Sequence, residues 1–107
     1  MHADPTAVLK SLSDPTRRAI FERLCREGEI TVHALTDSSG VSQPAVSKHI
    51  CALKLVGLVR GRHDGRETYY SAEPKALSPL FEWIGFYSTF WNNRIDRLDD
   101  LLKRMDQ

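Results

Sequence analysis

Two helical stretches joined by a turn of about four residues constrain this chain more than any other feature. The first runs from a capping Thr31 to about Asp37, too short to stand alone, and is expected to brace its neighbour. Ser38-Ser39-Gly40 make the turn; Ser42 then caps a helix that extends to about Val56, where Gly57 ends it. Val46, Ile50 and Leu53 are spaced four and three apart, so they share one inward face. Helices joined this tightly form a helix-turn-helix.

The flanking segments complete the pattern. Asp4, as cap, and Pro5, at the first helical position, open a short helix to about Leu12. Asp14-Pro15-Thr16 opens a second that stops at Gly28, with Ala19, Ile20 and Leu24, and Phe21 alongside, as its buried stripe. After the helix-turn-helix come extended segments over 58–63 and 66–72, joined by Asp64-Gly65, a hairpin signal because such a turn needs positive φ. Glu73-Pro74 ends the second segment, and Ser78-Pro79 opens a long last helix running to about Arg104. The order predicts a mainly α fold with a small β-hairpin wing, a winged helix-turn-helix in a single domain over residues 1–107.

A domain of 107 residues buries roughly two-thirds of its unfolded surface, enough for a core but not for a deep enzyme cleft as well. No activated nucleophile, paired carboxylates or phosphate loop is visible, so no enzyme is expected. The two cysteines, Cys25 and Cys51, make no disulfide framework and are expected to be buried or incidental thiols. With no secretory signal and no apolar run near the roughly 18 residues that span a bilayer, the chain reads as reduced and cytoplasmic, without a membrane partner.

Net charge is only +1, but it is unevenly spread. Residues 41–72 carry Lys48, Lys54, Arg60, Arg62 and Arg66 against Asp64 and Glu67, whereas each flank carries five basic against six acidic residues. A polyanion would bind in the middle third. In a helix-turn-helix the second helix enters the major groove of double-stranded DNA. With Val46, Ile50 and Leu53 inward, Ser42, Gln43, Pro44, Ser47, Lys48, Cys51 and Lys54 face out. Gln43 suits adenine, Ser47 donates or accepts, and Lys48 reaches guanine or phosphate. Free N–H groups at the helix start suit a phosphate. Alone this face could equally be a solvated one, but Arg60, Arg62, His63 and Arg66 around the tight turn add a wing able to reach the backbone or minor groove.

The stretches LSDPTRRAIFERL, SQPAVSKHICALKLVGLV and GRHDGRETYYS, over about residues 8 to 72, resemble the ArsR/SmtB family of bacterial transcriptional regulators. The resemblance implies a homodimeric winged-helix repressor joined through its first and last helices. It places Ser47, Lys48 and His49 in the DNA-contacting helix and Arg62 and Arg66 in the wing, with Tyr70 in the core and His49 more often structural than base-reading. Many members release DNA on binding metal, but the family's paired cysteines correspond here to Thr31 and His33. The last helix offers Asp96, Asp99 and Asp100 without His or Cys, and the histidines, His2, His33, His49 and His63, all lie elsewhere. No metal site or cofactor is expected, and no small-molecule effector is assigned.

In the last helix Leu77, Phe81, Ile84, Ser88, Trp91, Ile95, Leu98, Leu102 and Met105 form one stripe, broken only by Ser88. Leu80, Trp83, Tyr87 and Phe90 form a second. One stripe can seat the helix on its own domain; two exceed what so small a domain covers, so Trp83, Tyr87, Phe90, Trp91, Ile95 and Leu98 are expected at a homodimer interface. The reading is a homodimeric repressor of a palindromic operator. The alternative is a winged-helix protein–protein interaction module without DNA binding, which internal ion pairing of the basic residues over 41–72 would favour.

Overall fold

The computed structural model describes residues 4–105. Helices α1 (Thr6–Ser13) and α2 (Pro15–Glu27) lead into a two-residue strand β1 (Ile30–Thr31), then α3 (Val32–Asp37) and α4 (Gln43–Leu55). Strands β2 (Val59–Asp64) and β3 (Glu67–Ala72) follow, then a 3₁₀ turn (Pro74–Leu77), α5 (Ser78–Gly85) and α6 (Ser88–Met105). This is the expected mainly helical fold with a hairpin wing.

The helix boundaries have local causes. Asp14 accepts from the Arg17 N–H at 2.9 Å, Thr31 from the Ala34 N–H at 3.2 Å and Ser42 from the Ala45 N–H at 3.3 Å, so three starts are capped as their sequences predict. The end of α4 is a Schellman turn. Gly57 takes φ +79°, its N–H bonds the Lys54 carbonyl, and the Leu58 N–H reaches back to Leu53. Leu53 and Leu58 are both fully buried, which pins the wing's entry to the core.

Three local expectations need correction, and one element was not foreseen. Asp4 does not cap α1 at Pro5; it bonds the Thr6 N–H and hydroxyl, and α1 begins one residue later. Ala19 is exposed, because α2 turns only Ile20, Phe21 and Leu24 inward. The wing strands pair Asp64 with Glu67, so the two-residue turn is Gly65-Arg66 rather than Asp64-Gly65. Only Gly65 has positive φ (+62°), the pattern of a type II′ turn with glycine at its first central position. Finally, β1 is a strand that two residues of sequence could not reveal. It pairs antiparallel with β3 (Ile30 opposite Tyr70, Thr31 opposite Tyr69), giving a sheet of order β1-β3-β2.

The core gathers Val8, Ile20, Phe21, Leu24, Ile30 and Leu35 with Val46, Ile50, Leu53, Leu58 and Val59. Tyr70 packs half-buried against it, as expected, and lies over Gly61, where an added Cβ would stand 3.1 Å from the ring.

The expected single helix over 78–104 is broken. The Tyr87 N–H bonds the Ile84 carbonyl, three residues back, at 2.9 Å, tightening the chain just after Gly85, a poor helix former. Leu77 and Leu80 seat the start of this arm against the core, and every described residue from Phe81 onward is exposed. The molecule is 64 Å along its longest axis and 21 Å along its shortest.

Candidate nucleic-acid interface

Helix α4 buries Val46, Ile50 and Leu53 against the domain, and this fixes what its other face presents. Ser42, Gln43, Pro44, Ser47, Lys48, Cys51 and Lys54 are all exposed, so the outward set read from the helical period is the outward set observed. Neither Lys48, Lys54 nor Arg66 enters an ion pair among the described residues. Lys54 Nζ lies 6.0 Å from the centre of the Tyr70 ring, which ties its stem to the sheet.

His49 differs from its neighbours on α4. It is half-buried, and its Nδ1 is buried without a hydrogen-bond partner among the described residues. It lies near Asp14, the cap of α2, whose carboxyl is held below the usual range mainly by the Arg17 N–H that it accepts. His49 is therefore placed against the α2 start and not wholly on the outward face.

The wing separates into two faces. In register, Val59, Gly61 and His63 alternate with Arg60, Arg62 and Asp64, and Arg62 stands opposite Tyr69. The arginines on the second face are held by carboxylates. Arg60 Nε is 2.8 Å from Glu73 Oε1. Arg62 makes a forked pair with Glu29, Nε to Oε2 at 2.9 Å and Nη2 to Oε1 at 3.0 Å, over the Tyr69 ring at 5.0 Å. Arg62 Nη1 lies 3.7 Å from Asp64 Oδ2. The fork holds the Glu29 carboxyl below its ordinary range and raises the Arg62 guanidinium. The positive balance over 41–72 thus overstates the wing: Arg66, at the turn, is its one arginine without an ion pair among the described residues. His63 Nδ1 is 3.0 Å from the Thr68 hydroxyl. Sequence reasoning missed Glu29 and Glu73, which carried no local signal.

Arg23 has a supporting role that the sequence did not suggest. From α2 its guanidinium bonds the Ala34 carbonyl (3.2 Å), the Leu35 carbonyl (3.4 Å) and the Ser38 hydroxyl, closing the end of α3 beside the turn. The Glu27 carboxylate holds it at 2.7 Å.

The six residues expected at a dimer interface, Trp83, Tyr87, Phe90, Trp91, Ile95 and Leu98, are 43–60% exposed. Trp83 and Tyr87, and likewise Phe90 and Trp91, stack edge to face with centroids 5.7 Å apart. Trp83, Ile84, Tyr87, Phe90 and Trp91 line an open apolar groove of about 470 Å³. They do not form an internal core. Of the two readings for the cysteines, buried or incidental, burial does not hold: Cys25 and Cys51 are both exposed, free thiols, and Cys51 lies on the outward face of α4 as its position predicts. Among the described residues no three His, Cys, Asp or Glu side chains gather as metal ligands; His2 lies outside the described residues. Among the described residues no helix is long and apolar enough to cross a membrane.

Comparison with known proteins agrees with this geometry. The model of a helix-turn-helix domain family matches residues 12–62. The chain is 37% identical over 71 residues to the arsenic resistance transcriptional regulator ArsR1 of Pseudomonas putida, a match covering 66% of this chain but only 56% of that protein. It is 31% identical over 77 residues to the transcriptional repressor SdpR of Bacillus subtilis, covering 72% of this chain and 84% of the repressor. Its fold resembles a homodimeric winged helix-turn-helix DNA-binding domain from Mycobacterium bovis, described as a possible ArsR-family regulator. That likeness has a TM-score of 0.62 at 28% identity, over 78% of this chain and 77% of the other.

Proposed function

This chain belongs to the ArsR/SmtB family of helix-turn-helix transcriptional regulators, and on that premise we propose that it is a homodimeric repressor of a palindromic operator. The exposed N-terminal face of α4 carries the proposal. Gln43, Ser47 and Lys48 stand clear of the core on a capped, rigid helix, with groove-reading chemistry and no internal partner competing for Lys48. Ser42, Pro44 and Lys54 flank them and approach the backbone. In the wing, Arg66 and His63 meet DNA at or near the turn, and Arg60 and Arg62 reach phosphate by leaving their carboxylates. His49 supports the helix more than it reads bases.

Residues 1–107 act as one winged-helix unit with its own dimerisation arm. Two copies join through Trp83, Tyr87, Phe90, Trp91, Ile95 and Leu98, covering an apolar face that a lone copy leaves in water. The homodimeric neighbour supports self-association as such. A two-fold axis then presents two α4 helices about one DNA turn apart.

The ion pairs of Arg60 and Arg62 favour the interaction module that lacks DNA binding, and one measurement separates the two readings. Fluorescence anisotropy on the duplex upstream of the protein's own gene, titrated in salt against a scrambled duplex, should show selective binding that weakens steeply with salt. Absence of binding to either duplex at low salt would leave the interaction module.

A further inference from the structure

One wing arginine, Arg62, is already gripped in the way a phosphate would grip it. Glu29 stands at the base of the sheet, just before β1, and its two carboxylate oxygens take Nε and Nη2 of Arg62 in the fork that a phosphate would take. Tyr69 beneath the guanidinium and Asp64 beside it draw the head across the sheet rather than out toward a ligand. The pair is partly exposed, with the Arg62 and Glu29 side chains 52% and 42% accessible, so it opens readily.

Resting on the DNA-binding reading above, we infer that Glu29 is a specificity-determining residue: it occupies the phosphate seat on Arg62 and keeps affinity for non-cognate DNA low. Two effects act together. The carboxylate competes for the guanidinium, and once displaced it faces a polyanion unpartnered. Binding without base contacts depends almost entirely on phosphate charge, so it bears both effects in full. Where α4 is seated in the groove, the wing is held beside the backbone and Arg62 transfers.

The test uses the full chain with Glu29→Gln, Arg62→Ala and the double variant on a scrambled duplex and on the upstream duplex, over a salt series. Glu29→Gln should bind the scrambled duplex roughly tenfold more tightly than the wild type, with a steeper salt slope by about one counterion per wing. The upstream duplex should gain less, and the double variant should bind like Arg62→Ala. Unchanged or weaker binding by Glu29→Gln would overturn the inference, as would a gain that survives without Arg62. If the folded wild type and Glu29→Gln both bind no duplex at low salt, the DNA-binding reading itself fails, and this inference with it.

Discussion

In α4 the apolar positions spaced four and three apart, Val46, Ile50 and Leu53, are at most 1% exposed; in α6 the same spacing at Trp91, Ile95 and Leu98 leaves them 55–60% exposed. Helical period selects a face in both, but it does not say what covers that face. Helix α4 lies among α2, α3 and β2, so its stripe is closed by the same chain. The stripe of α6 meets no such cover among the described residues and stays exposed. One region finishes its core alone, and the other leaves its apolar face open.

Three measurements would break or sharpen that contrast. The largest effect belongs to the closed region. Leu53→Ala should cost about 2–5 kcal/mol in urea unfolding, because a fully buried side chain leaves a cavity among fixed neighbours. A loss well under 1 kcal/mol would mean that α4 is not the centre of the core. In the open region, Ile95→Asp should weaken self-association by about 2–4 kcal/mol, read by sedimentation velocity over a concentration series, with the helix-turn-helix still folded. An unchanged sedimentation coefficient would place the interface elsewhere.

The smallest effect is a pH dependence confined to the closed region. Asp14 is held below its ordinary 3.8 because its ionised form accepts the Arg17 N–H. A folded-state value depressed in this way contributes stability above the unfolded value, which is lost as pH falls through the folded one. Thermal melts should therefore separate wild type from Asp14→Asn above about pH 4 and converge as pH drops below the depressed value. A difference that persisted unchanged to pH 2 would show that the cap acts without its charge.

Much of the fold was legible because its signals are local. Asp14, Thr31 and Ser42 cap N–H groups three residues away, and Gly57 and Gly65 supply backbone angles that other residues resist. The outward face of α4 was legible for the same reason, since three inward residues fix the rest. The break after Gly85 had a signal, a glycine within an apolar pattern, but the hydrophobic stripes running past it, interrupted only at Ser88, masked it. Strand β1 had none, since two residues establish no alternation and exist as a strand only because β3 lies alongside.

The sequence by itself determined where α2, α3 and α4 start, where α2 and α4 stop, which way α4 faces and that the wing turns at a glycine, because each depends on atoms within a few residues. Only the tertiary structure decided which cations are free. Arg62 and Glu29 are 33 residues apart, and it is the pairing of β1 with β3 and β3 with β2 that brings their side chains together. Charge counted along a chain is conserved on folding, but its availability depends on which opposite charge the fold sets beside it.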